Sequence, residues 1–297
     1  MSTFGLLNVN KPSGVTSRRV VDQIKRLVKP AKVGHAGTLD PLASGVLVIG
    51  IGQATRLVEY VQAMPKTYRA TFLLGRTSTT EDVEGAVTLL ENPPVPTREE
   101  LAGAAARLTG EIQQRPPAYS ALKVDGRRAY ARARAGETVE LAERPVQIHR
   151  IVIVGYDYPE LQLEIDCGSG TYVRSLGRDL AERVGAGAVM SALVRTAIGR
   201  FRLEDAIVVE QLTRDDLAQQ LLPATLAVTD LMPTVEVCLS DVVRLGNGLP
   251  IELDGRTVDV CAAVDAAGQL IAILGRRPDG QYAPTKYFPT AADGPSR

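Results

Sequence analysis

One carboxylate stands alone in the stretch KVGHAGTLDPLASGVLVIGIGQATR, residues 32–56. Between Lys32 and Arg56 the only formally charged side chain is Asp40, set among glycines, a histidine and a run of Val, Leu and Ile. A carboxylate in such company can do one of two things. It can cap a turn before Pro41, where Asp is common because its oxygen bonds nearby backbone N–H groups. It can also act as a nucleophile or base, in which case apolar neighbours strip its hydration and a cation must stand close to keep it charged. These residues by themselves leave both readings open.

Few other residues offer chemistry. Cys167, Cys238 and Cys261 are widely spaced with no CxxC pair, which points to free thiols and away from a disulfide framework or a zinc site. His35 and His149 are the only histidines, and no HExxH, Walker A or Rossmann fingerprint occurs, so neither a metal nor a cofactor is expected. The chain has no net charge, but residues 18–32 carry +5 and so do residues 115–134, where Arg115, Lys123, Arg127, Arg128, Arg132 and Arg134 face only Asp125. Two such patches suit a polyanion; solvated helix faces would give the same composition. With 45% hydrophobic and 23% charged residues the chain reads as an ordinary globular protein. Its apolar runs fall far short of the roughly 20 residues that span a bilayer, and MSTFGLLNVNKPSG lacks the marks of a secretion signal. A cytoplasmic protein with no membrane contact is therefore expected.

The elements that must position Asp40 follow from periodicity. GLLNVNKPSG reads as a short strand broken by Pro12 and Gly14. Val20, Val21, Ile24, Leu27 and Val28 repeat at helical spacing from Thr16 until Pro30. Gly45–Ile51 suits a buried strand, and Gln53–Ala63 a helix with Ala54, Leu57, Val58 and Val61 on one face. TYRATFLLG alternates as a strand, Arg98–Leu108 forms a helix stopped by Gly110, and Val146–Tyr156 and Leu161–Cys167 form two more strands. GSGT then turns into a helix bearing Tyr172, Val173, Leu176 and Leu180, closed by Gly185. Residues 113–143, basic and poor in aliphatic period, read as a surface insertion. Pro233 opens a segment of short strands, 233–297, with six basic and eight acidic residues. Strands and helices mix without strict βαβ alternation, which predicts an α+β fold with a mixed, largely antiparallel sheet. The expected division is 1–232, carrying the insertion, and a compact, mostly β module at 233–297.

The stretch around Asp40 resembles the segment that holds the catalytic aspartate of TruB-type tRNA pseudouridine synthases. Further pieces of that pattern stand in order: NKPSGVTS (10–17), KTYRA (66–70), RPPAYSALKVDGRRAY (115–130) and CGSGTYVRSLGRDL (167–180). The resemblance covers roughly residues 4–230. It implies a pseudouridine-synthase catalytic domain over 1–232 and a PUA-like RNA-binding module over 233–297, whose acidic balance argues against strong phosphate binding there. The implied activity is isomerisation of uridine 55 in the T loop of tRNA by base flipping. The C1′–N1 glycosidic bond is exchanged for C1′–C5, with no cofactor, no metal and no protein partner, in a monomer.

Site residues carry over position by position. Asp40 matches the catalytic aspartate and Arg174 the arginine that pairs with it. Tyr68 matches the tyrosine that stacks on the target base, although a lone strand Tyr is as readily core. Tyr172 and Leu193 match positions that line the uridine pocket, where packing is a second explanation. His35 matches the ring that fills the space vacated by the extruded base, or else it is a structural histidine. Lys11 is placed near the substrate. Lys123, Arg127, Arg128, Arg132 and Arg134, in the insertion that closes over the T arm, would hold RNA phosphates without reading sequence. Two rivals remain: a guide-dependent synthase of dyskerin type, and an RNA-binding or RNA-folding protein without turnover. Asp40, Tyr68 and Arg174 together argue against the second, because binding needs no activated carboxylate.

Overall fold

The computed structural model of the chain describes residues 4–119, 123–124, 127–128, 141–253, 255 and 257–289, with only the backbone of 123–124 and 127–128. In chain order its first strands are β1 (Gly5–Lys11), β2 (Val33–His35), β3 (Ser44–Ile51), β4 (Lys66–Leu74), the pair β5 (Arg76–Ser78) and β6 (Val87–Leu89), and β7 (Gly110–Gln114). There follow the short pair β8 (Lys123–Val124) and β9 (Arg127–Arg128), then β10 (Arg144–Asp157), β11 (Glu160–Cys167), β12 (Ala188–Ile198), β13 (Phe201–Arg202) and β14 (Ile207–Val208). The C-terminal strands are β15 (Thr234–Glu236), β16 (Val260–Val264), β17 (Leu270–Arg276) and β18 (Tyr282–Tyr287).

One ten-stranded sheet organises the first 232 residues, in the order β14-β1-β3-β12-β4-β11-β10-β7, with β2 also on β3 and β13 also on β12. Only β1–β14 and β3–β12 pair in parallel, so the sheet is mixed and largely antiparallel, as expected for the α+β class. The alternation in β4 does what its period requires. Tyr68, Ala70, Phe72 and Leu74 enter one core with Leu176 and Leu180 of the helix Val173–Glu182, while Arg69 is exposed on the other face. β1 and β3 are instead buried on both faces, which explains their continuous apolar sequence. Leu7, Val9, Leu47 and Ile49 meet Val20, Val21 and Ile24 of the helix Ser17–Val28, and Leu6, Val46 and Val48 meet a second core on the other face.

Three sequence expectations need correction. Gln53–Ala63 is not one helix but a 3₁₀ segment, Gly52–Leu57, running into a short helix, Val58–Ala63. Gly50 lies beneath its first turn, where a Cβ would stand 2.7 Å from the Ala54 carbonyl oxygen, so the chain winds tightly there. The C-terminal segment does form its own sheet, β15-β16-β17-β18, but also a helix, Leu239–Gly246, with Val242 and Leu245 buried. Nor is it merely appended, since Ala262, Leu270, Ile273 and Phe288 share a core with Leu6, Leu57 and Ile198. Phe288 stacks on Phe4, and Arg56 lies over its ring while donating to the Tyr287 carbonyl. No helix among the described residues is long and apolar enough to cross a membrane.

Candidate active site

Asp40 lies in the loop between β2 and β3, and side chains from 10–17 hold that loop in place. The Ser17 hydroxyl accepts from Leu39 N at 2.9 Å and donates to Leu39 O at 3.0 Å, fully buried. The Ser13 hydroxyl donates to Leu42 O at 2.8 Å, and Gly14 N donates to Pro41 O at 2.8 Å. Lys11, wholly buried, donates to the carbonyls of Pro12, Val15 and Pro41. NKPSGVTS is thus a bracket around the Asp40 loop, and Gly37 supplies the left-handed turn (φ +98°) that starts it.

The carboxylate meets the expected cation. Arg174 Nη2 stands 3.0 Å from Asp40 Oδ2. The same guanidinium reaches Asp82 Oδ2 at 3.4 Å and donates to Thr80 O at 2.7 Å and Tyr119 O at 3.1 Å. A buried guanidinium needs such partners, because its dehydration is otherwise uncompensated. Asp82 is itself buried, accepting from the Thr80 hydroxyl at 2.6 Å and Glu84 N at 3.1 Å. Glu81 turns the chain to deliver it, in a left-handed conformation (φ +63°) rare for a residue with a side chain. Ser175 and Arg178 hold the Glu81 carboxylate from the same helix that carries Arg174. Arg174 is brought in by close packing: a Cβ on Gly177 would lie 2.0 Å from a Phe72 ring carbon, so only glycine lets this helix approach β4. One expectation is overturned here. The Asp40 side chain is 40% exposed, so water is not stripped from it by its apolar neighbours.

Asp40 and Arg174 border a cavity of about 310 Å³ whose walls also include Tyr68, Tyr172 and Leu193. Tyr68 is 8% exposed, packed into the core and standing on the cavity wall at once, and burial pushes its phenol up. Tyr172 is held by Gln114, which binds its backbone N and O at 2.8 and 3.1 Å, and Arg144 lies 5.0 Å from the centre of its ring. Leu193 faces Ala70 across the β12–β4 pair. A larger cavity, about 800 Å³, lies around Glu81, Arg115 and Arg178 and includes neither Asp40 nor Arg174, so size alone does not mark the chemistry.

Lys11 and His35 stand outside the cavity wall, and for His35, expected to fill the space the base vacates and not to line the pocket, that overturns nothing. Lys11 is the bracket described above, and its ammonium is used on three carbonyls, which corrects its placement beside the substrate. Burial pushes its pKa down to about 8, with Asp40 opposing. His35 ends β2, half-buried, outside the cavity wall; burial lowers its pKa and keeps the ring neutral. Lys123, Arg127 and Arg128 fall on β8 and β9, with their side chains outside the described residues, as are Arg132 and Arg134 altogether. Sequence reasoning missed Asp82, Gln114, Lys66 and Arg195. Arg195 and Lys66 both line the cavity, and Arg195 is 2% exposed. Nothing in TSTTEDVEG distinguishes Asp82 from an ordinary turn carboxylate. Among the described residues no cluster of His, Cys, Asp and Glu could hold a metal ion.

A family model described as TruB family pseudouridylate synthase (N terminal domain) matches residues 25–173. The chain is 41% identical over 309 residues to a protein of Arthrobacter sp. (strain FB24) named tRNA pseudouridine synthase B, covering 99% of each. A protein of the same name from Mycobacterium leprae (strain TN) is 41% identical over 280 residues, covering 91% of this chain and 86% of the relative. Among solved structures, an H/ACA RNP bound to a substrate RNA containing 2′-deoxyuridine is similar with a TM-score of 0.74 and 23% identity, over 97% of this chain and 86% of that one. A Cbf5-Nop10-Gar1 complex gives 0.73 and 24%, over 96% and 84%. At those identities the likeness is one of fold.

Proposed function

The chain belongs to the TruB family of pseudouridylate synthases, and on that premise we propose that it isomerises uridine 55 in the T loop of tRNA to pseudouridine with Asp40 as the reacting carboxylate. It is an isomerase that acts on tRNA. The observation that carries the assignment of Asp40 is its position: a carboxylate at the open rim of a cavity, held 3.0 Å from the guanidinium of a buried arginine.

A uridine flipped from its stack brings its ribose to the rim and its base inward, onto Tyr68 and between Tyr172 and Leu193. The C1′–N1 bond breaks with its electron pair on the base. Asp40 then either bonds to C1′ or removes the C2′ proton to leave a glycal, and both states are reversed when C5 is joined to C1′. Arg174, fixed by Asp82 on its other side, stays in place while the charge on Asp40 changes. The insertion within 113–143 would hold the T arm through its arginines and lysine, and residues 233–297 serve as a PUA-like module. The protein works in the cytoplasm as a monomer without a guide RNA or protein partner.

The test is release of tritium from C5-labelled uridine in a T-arm stem-loop, with no guide added, by wild type and by Asp40→Asn. C5 must lose its hydrogen to become the attachment point, so wild type should release tritium. The Asn variant should fall to background while binding the RNA with little change, because phosphate contacts dominate affinity. Near-normal release by Asp40→Asn would leave the carboxylate as a turn residue. Release only with a guide RNA would favour the guide-dependent alternative.

A further inference from the structure

Arg174 is already shared by the carboxylates of Asp40 and Asp82, but the same cavity holds three more cations: Lys66, Arg144 and Arg195. None of the three has a carboxylate partner among the described residues. Arg195 lies at the closed end of the cavity, whereas the Asp40 side chain stands at the open rim. Its Nε donates to Val46 O at 2.7 Å and its Nη2 to Gly37 O at 3.2 Å, and its charge acts on the Tyr68 hydroxyl nearby. A guanidinium carries five donors, so some remain with no protein acceptor among the described residues. Lys66, 7% exposed, has one described acceptor, the Gln62 carbonyl. Buried cations left this way call for an anion that arrives from outside.

We infer that Arg195 and Lys66 form a site for the detached uracil anion, holding its carbonyl oxygens while the base turns over between its two glycosidic bonds. The inference rests on the uridine-isomerising reading above. The phosphodiester is the other anion available, but it stays with the RNA strand at the mouth, whereas the base is the part of a flipped nucleotide that reaches the closed end. When the C1′–N1 bond breaks, its electron pair spreads over N1, O2 and O4. A half-turn about the N3–C6 axis of uracil then exchanges N1 with C5 and O2 with O4. Donors aimed at a carbonyl therefore find an acceptor in the same place before and after the turn. An electron pair from C5 forms the new bond to C1′, C5 loses its proton and N1 takes one up. Fixed donors in a water-poor site stabilise such developing charge well, and removal of one of them lowers a rate by about 10²–10³.

The test is a chemical double-mutant cycle on a C5-tritiated T-arm stem-loop under single-turnover conditions. Target uridine is compared with 2-thiouridine and 4-thiouridine, in which sulfur accepts hydrogen bonds poorly. The proteins are wild type, Arg195→Lys and Lys66→Met, each checked for folding by circular dichroism. In wild type, a thio substitution should slow release roughly ten- to hundredfold. Each variant should lose about 10²–10³ in rate with uridine, and its thio penalty should shrink to within about twofold, because the partner of the carbonyl is already gone. Should Arg195→Lys not fold, since it also ties down Val46 and Gly37, Lys66→Met decides by the same criterion. An undiminished thio penalty in the folded variants overturns the inference. So does coupling of either variant to a phosphorothioate at the target phosphate in place of the base. Absence of tritium release by wild type is a different outcome, which removes the isomerase assignment itself.

Discussion

Replacing Lys66 by Met should make the protein more stable and less active. Burial, together with the charge of Arg195, pushes the Lys66 ammonium down from 10.5 to about 8. In the unfolded chain it titrates at its ordinary value. Between pH 8 and 10.5 the unfolded state therefore binds more protons, so wild-type stability rises with pH across that window. Below pH 8 the burial penalty is present in full. At 1.36 kcal/mol per pKa unit it amounts to at most about 3 kcal/mol, which solvent screening and the lost bond to the Gln62 carbonyl reduce to about 1–2 kcal/mol. Urea unfolding of wild type and Lys66→Met at pH 7 and pH 10 measures it. The variant should be more stable at pH 7 by that amount, and the gap should close toward pH 10. A variant less stable than wild type at pH 7, or a gap independent of pH, would show that the ammonium is well accommodated in the fold and is not a cost retained for function.

Arg174→Met should destabilise by about 3–5 kcal/mol as well as abolish turnover, because it strands the buried Asp82 carboxylate; denaturant midpoints of this variant and of Arg174→Met/Asp82→Asn, which should recover part of the loss, check it. Gly177→Ala drives a methyl group into Phe72 and should cost about 1–3 kcal/mol while slowing single turnover through the displaced Arg174; an unchanged Tm and rate would mean the helix can yield. Deleting residues 233–297 should give an unstable, aggregating protein by scanning calorimetry and light scattering, since it uncovers Phe4, Leu6 and Leu57; a soluble fragment with normal Tm would mean the shared core contributes little.

Where one face of an element is apolar and the other polar, the chain could be read directly. β4 alternates over its whole length, and the helix Ser17–Val28 repeats Val20, Val21, Ile24 and Val28 with Thr16 capping it at Arg19 N. Among the strands that were not legible is β12, the centre of the sheet. Its pairing with β4 slips twice, between Met190 and Ala192 and again between Arg195 and Ala197. Each bulge shifts the alternation by one residue, so AVMSALVRTAI keeps no clean period of two. The helix Leu239–Gly246 was hidden differently: its Leu239 and Val243 are exposed, so its apolar residues do not mark a single buried stripe.

The second of these bulges also hid Arg195. Arg195 sits at the second slip, where β12 turns from its regular pairing, and an arginine in an apolar strand whose register is unreadable gives no clue to which side it faces. Asp40 was conspicuous for the opposite reason: it is local, one charge in a glycine-rich loop, and needs no tertiary information to stand out. Its partner Arg174 could be assigned only by resemblance, because the two lie 134 positions apart and meet through a Gly177–Phe72 contact that no spacing rule predicts. NKPSGVTS shows how the two kinds of information divide. As a sequence it suggests substrate contact at Lys11. In the fold Lys11, Ser13 and Ser17 turn to carbonyls and an amide of the Asp40 loop, and the motif acts on the chemistry by fixing the position of another residue's carboxylate.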